Sequence, residues 1–194
     1  MKSTVFAAAV AAAALVAGGS QAAVNLITNG SFETGDFTGW TVTGGTPQAV
    51  ECCGFDGFNA EDGTYFAALG AVGTDGFVSQ TFADTPGATY EASFYLANDG
   101  DLPNDFGVTG PGGLSLPTMF DQPASPYTFY FGFFTGSGSD TITFNARNDP
   151  GYWALDNVVV TGAAVPEPAA WASMILGLGL AGAALRRRKA LAAV

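Results

Sequence analysis

The sequence predicts an all-β fold, an antiparallel β-sandwich of jelly-roll type, flanked by an N-terminal signal peptide and a C-terminal transmembrane helix. Three observations predict it. Period-two alternation of apolar and polar residues dominates the middle of the chain, the mark of half-buried strands. Turn-forming clusters such as Asn29-Gly30, Thr85-Pro86-Gly87, Asn98-Asp99-Gly100 and Asp149-Pro150-Gly151 punctuate it at short intervals. No stretch before Pro168 sustains a helical period. About eight to ten strands in roughly 140 residues suit two packed antiparallel sheets.

Taken in order, the expected strands are 24–28, 40–43, 48–52, 64–69, 76–83, 88–97, 105–109, 127–134, 141–146 and 152–161. In 88–97, Tyr90, Ala92, Phe94 and Leu96 share one face and Thr89, Glu91, Ser93 and Tyr95 the other. Ile142, Phe144 and Ala146 line up in the same way. The run 127–134 is almost wholly aromatic, which suggests a strand covered on both faces. Gly110-Pro111-Gly112-Gly113 is poor in pattern and reads as a long loop.

Composition removes whole classes of chemistry. The chain has 194 residues, 17 acids against 6 bases, and no histidine. Every acid but Glu167 lies in the middle, where Arg147 is the only base between Lys2 and Arg186. So acidic a domain cannot displace the counterions of a phosphate backbone, so nucleic acid is excluded as a partner. Lack of histidine removes imidazole metal sites and Ser-His-Asp or Cys-His catalysis. Glycosidase chemistry needs only two acids across a cleft, but nothing singles out a pair. The domain reads as a non-enzyme.

Both ends read as addresses. Lys2, an apolar run over 5–17, and small residues Ser20 and Ala22 at −3 and −1 predict a signal peptide over 1–22, leaving a β-domain over 23–164. At the other end, residues 165–190 hold Pro166-Glu167-Pro168, an uncharged run over 169–185, and Arg186, Arg187, Arg188 and Lys189. As a helix the run reaches about 25 Å. That is the short limit for a transmembrane span. The basic tail over 186–189 would stay on the cytoplasmic side.

In order, the Pro-Glu-Pro motif, the Gly-rich apolar run and the basic tail resemble the PEP-CTERM sorting signal of Gram-negative bacteria. The resemblance implies cleavage near Pro166-Glu167-Pro168 by an exosortase, a membrane transpeptidase. It also implies export through the inner membrane, transient anchoring there, and a final place at the cell surface or in extracellular matrix or biofilm. Within the domain, Asn25-Leu26-Ile27-Thr28-Asn29-Gly30-Ser31-Phe32-Glu33 with Trp40, and Leu155-Asp156-Asn157-Val158-Val159-Val160, resemble the frame of galactose-binding-like jelly rolls. Many carbohydrate-binding modules belong to that group, so the resemblance implies polysaccharide as a ligand. The same frame also occurs in surface proteins without a known ligand, which leaves a purely structural role open.

Candidate site residues follow. Glu33 and Asp156 each sit beside a hydrophobic strand residue, where an unpaired carboxylate is costly. Pairing of first and last strands would bring them together with no lysine to neutralise them. Calcium would solve this with carboxylate and carbonyl oxygens, Asp62 being a further ligand; alternatively one acid faces solvent or caps a loop. The resembled modules hold a structural calcium at such a place. Asp99 and Asp101 lie in an oxygen-rich loop that could meet sugar hydroxyls or be a solvated turn, without the spacing of an EF-hand. Trp40, Tyr152 and Trp153 offer a flat platform for a sugar ring or, instead, core packing. Tyr152 and Trp153 must point to opposite faces, so one of them is free to be exposed. Cys52 and Cys53 are adjacent; a vicinal disulfide, free thiols and an intermolecular bridge are all open.

Overall fold

The computed structural model describes residues 24–162 and 175–179. Residues 23–163 form one compact unit. The signal peptide, the Pro166-Glu167-Pro168 motif, Arg186, Arg187 and Arg188 lie outside the described residues. Of the expected apolar span, residues 175–179 are helical. Among the described residues, no helix is long and apolar enough to cross a membrane.

The domain is built of ten strands: β1 (Thr41–Gly44), β2 (Gln48–Cys52), β3 (Tyr65–Leu69), β4 (Gly76–Ala83), β5 (Thr89–Asn98), β6 (Asn104–Thr109), β7 (Met119–Phe120), β8 (Ser125–Thr135), β9 (Ser139–Asn148) and β10 (Trp153–Gly162). They form two five-stranded sheets, ordered β1-β4-β9-β6-β7 and β2-β3-β10-β5-β8. Every pairing is antiparallel. The expected alternation is clearest in β4 and β9. Val78, Gln80 and Phe82 of β4, and Ile142, Phe144 and Ala146 of β9, turn inward.

Between the sheets, Phe94, Phe106, Phe144 and Trp153 pack as a continuous aromatic core, which Phe32 joins through Trp40. A smaller cluster of Phe66, Ala68, Ala97 and Ala154 lies on the outer side of the second sheet. Phe55 and Phe58, from the loop after β2, cover it. Small residues at these outward positions of β3, β5 and β10 let that loop lie close to the sheet.

Two expectations need correction. Residues 24–28 form no ladder strand, because the Asn25 side chain takes the place of backbone in part of the pairing with β10. Asn25 Oδ1 accepts from Val160 N at 2.9 Å, and Leu26 N donates to Val160 O at 2.8 Å. β8 is not covered on both faces. It is the outermost strand of its sheet, with Phe129, Phe131 and Phe133 turned to solvent. Its aromatics alternate with residues that face inward, Tyr130, Gly132 and Phe134.

Candidate functional site

Glu33 and Asp156 do meet at one turn, though from different environments. Asp156 faces away from the main core yet has no exposed surface. Its Oδ2 accepts from the backbone N–H of Glu61 at 2.8 Å and Asp62 at 3.1 Å, and its Oδ1 from Asn157 N at 2.7 Å. Burial pushes its pKa up to about 6, against the opposing pull of those three N–H groups. Glu33 is exposed; its Oε1 accepts from Thr64 N and Tyr65 N, both at 2.7 Å. Gly63 must be glycine between them: its φ is +77°, and a Cβ would come within 2.7 Å of three Glu33 carboxylate atoms.

The unpaired-carboxylate expectation is therefore corrected. Backbone donors already hold both acids, and Asp62 contributes its N–H while its side chain is exposed. Among the described residues, no three His, Cys, Asp or Glu side chains converge as metal ligands. The donor atoms suit calcium in kind. Backbone carbonyls would have to supply most of the six to eight oxygens it takes.

The two tryptophans offered as platforms belong to the interior. Trp40 stacks on Phe32 with its Nε1 donating to Asn29 O at 3.0 Å, and Trp153 is 1 % exposed. Tyr152, on the opposite side of the chain from Trp153, is half-buried edge-on to Phe55. Asp99 is consumed by the fold. Its Oδ1 accepts from Asp101 N and Asn148 Nδ2, and its Oδ2 from Tyr152 N. The 99–103 connection between β5 and β6 is thus held as a turn, with Asp101 exposed at its tip. Cys52 and Cys53 form a vicinal disulfide at the end of β2.

A face that the sequence reading missed is the outer side of the first sheet. Because Phe144 and Ala146 point into the core, Thr143, Asn145 and Arg147 of β9 point out. Pairing registers place Phe77 of β4 and Gly107 of β6 on either side of Asn145, and set Arg147 beside Asp105, itself beside Phe120 of β7. Phe77 is 37 % and Phe120 65 % exposed. Three inter-strand steps separate their strands, roughly 14 Å. Gly107 leaves the floor bare, and the Asn145 side chain lies over it, 2.7 Å from where a Cβ would stand.

Polar groups fill the strip between the two phenylalanines. Arg147 Nε donates to Asp105 Oδ2 at 3.0 Å, and Asn145 Nδ2 to Asp75 Oδ2 at 3.2 Å. Burial, then the neighbouring Asp75 charge, pushes the Asp105 carboxyl above its ordinary range; Arg147 pulls the other way. One guanidinium facing two carboxylates leaves the strip with donors, acceptors and a negative balance. The signal in the sequence was Arg147 itself, the domain's single base.

Comparison with known proteins adds two findings. Residues 164–189 match the PEP-CTERM protein-sorting motif, which implies exosortase processing, export and surface sorting in Gram-negative bacteria. No curated protein sequence matches the chain. Solved structures do. TmCBM61 in complex with β-1,4-galactotriose superposes with a TM-score of 0.54 at 20% identity, over 72% of this chain and 99% of that one. The CBM22-1 xylan-binding domain of Paenibacillus barcinonensis Xyn10C gives 0.50 at 19%, over 76% and 100%. The enzymatically active domain of bacteriophage CBA120 tailspike protein 4 gives 0.51 at 19%, over 72% and only 21% of that chain. The chain thus carries a PEP-CTERM sorting motif behind a β-sandwich with the jelly-roll fold of carbohydrate-binding modules.

Proposed function

We propose that this is an exported surface protein whose β-domain binds an uncharged polysaccharide on the outer face of the first sheet, without reacting with it. The observation that carries the reading is the strip of Asn145, Arg147, Asp105 and Asp75 between exposed Phe77 and Phe120. Sugar rings present apolar faces to aromatics and hydroxyls to planar polar groups. Asp75 accepts from hydroxyls, Arg147 and Asn145 donate to them, and the buried Asp105 holds Arg147 in place. A uronate or sulfate would meet two carboxylates against one guanidinium, so neutral chains are preferred.

On this reading the sorting segment holds the protein transiently in the inner membrane through 169–185, before cleavage near Pro166-Glu167-Pro168 and release to the surface or matrix. A calcium ion at Glu33 and Asp156, completed by carbonyls of the 61–65 turn, is a further proposal about stability.

Titration calorimetry of the domain against neutral and uronate oligosaccharides tests the binding reading. Binding is expected to neutral chains only. Phe120→Ala and Asn145→Ala should each weaken it about tenfold or more, with melting temperature unchanged. Equal binding by both variants, or no saturable binding to any glycan, overturns it. The second outcome would leave a structural surface protein.

A further inference from the structure

The four sheet edges of this domain are not alike. β1, β2 and β7 span four, five and two residues. Short edges are one way proteins prevent strand-to-strand association. β8 is the exception, at 11 residues the longest strand of all. Among the described residues its only ladder partner is β5, and no other backbone hydrogen bond reaches it. Its outer row of N–H and C=O groups is therefore open.

The other usual guards stand only at its beginning. Pro126 stands near the beginning, and the register shift against β5 falls between Leu96 and Asn98, opposite that same beginning. From Tyr127 to Thr135 there is no proline and no charge. Leu114 and Leu116 reach Gly132 and join the main core, leaving the outward face bare. On that face Phe129, Phe131 and Phe133 are 47 %, 53 % and 49 % exposed and touch one another at ring distances of 5.8 and 5.9 Å. Tyr95 extends the stripe inward, 5.1 Å from Phe129.

We infer that β8 is the docking edge for a second copy of this chain, paired antiparallel across a two-fold axis. Charge selects the occupant. The domain is strongly acidic, so like copies repel over most of their surface. Between Asp121 and Asp140, however, no charged residue occurs, the longest such stretch in the domain. There two copies can approach along a full-length strand without like charges meeting at the contact. An antiparallel two-fold satisfies both open backbone rows at once, and it merges the two phenylalanine stripes into one apolar face. Glu91, opposite Phe133 on β5, is set back by one strand from the seam.

Sedimentation equilibrium on the 23–163 body tests this. A monomer–dimer equilibrium is expected, tightening as salt screens the acidic surfaces. Phe131→Lys, exposed in the monomer, should weaken dimerisation tenfold or more with melting temperature unchanged. Phe131→Cys should cross-link to its own copy under mild oxidation, and a surface cysteine at Thr81→Cys should not. A monomer at every concentration up to about 1 mM, a millimolar Kd being the weak limit of association, overturns the proposal. So does undiminished dimerisation by Phe131→Lys. If Phe131→Lys loses polysaccharide binding while self-association stays constant, the stripe is a glycan platform and the inference falls.

Discussion

Asp156 shows how much one residue's surroundings decide. With no exposed surface, its charged form is disfavoured by burial and favoured by the three backbone N–H groups that hold it. Its folded pKa, about 6, lies above the ordinary 3.8. The folded state therefore holds this proton more tightly than the unfolded one. The stability this group contributes is complete below the unfolded pKa and is lost as pH rises through about 6. The melting temperature should accordingly fall between pH 4 and pH 7, and Asp156→Asn should flatten that slope. Parallel curves for variant and parent would refute the assignment. Calcium binds the ionised form, so added calcium should raise the melting temperature more at pH 7 than at pH 5. No response to calcium or to EDTA at either pH would remove the ion and leave the backbone donors as the whole account.

Among the elements, the segment before β1 does a strand's work without being one. Asn25 Oδ1 accepts from Val160 N, its Nδ2 donates to Val158 O at 3.2 Å, and Gly30 O accepts from Val158 N at 2.9 Å. Gly30 packs so closely that a Cβ would overlap Val158 O. Asn25→Ala would strip partners from buried β10 groups and should cost about 1–3 kcal/mol by chemical denaturation; a change within error would show that water replaces them. Such an arrangement explains what was legible in the sequence. The alternation of β4, β5 and β9 is local and read correctly, and so were the turns that separate the strands. The motif Asn29-Gly30-Ser31-Phe32-Glu33 was visible too, but its work is holding the 29–40 loop, where Asn29 bonds Thr34, Asp36 and Thr38. Phe77, Asn145 and Phe120 went unread because only the order of strands within the sheet brings them to one face. The run 127–134 was misread for a related reason. Aromatic content alone does not distinguish a central strand from an edge.

For the molecule as a whole, charge and sorting are separate messages in one chain. All acids but Glu167 belong to the middle, and all bases but Arg147 to the ends. On the proposed sorting route, the basic tail would keep its end of the apolar run in the cytoplasm, while the acids of the domain go with the part that is exported. Intact-mass measurement of surface material should find the chain ending near Pro166-Glu167-Pro168. Surface protein that still carried Leu185 and Lys189 would defeat the processing proposal.

The vicinal disulfide has a consequence for folding in transit. A cross-link confers stability mostly by shrinking the ensemble of the unfolded chain, and that effect grows with the length of loop it closes. Cys52 and Cys53 are neighbours, so their bond encloses nothing and leaves the unfolded ensemble almost as large as before. The sandwich then owes its cohesion to its aromatic interior and its ladders, not to oxidation. A chain of this kind reaches its folded form without waiting for a thiol oxidant.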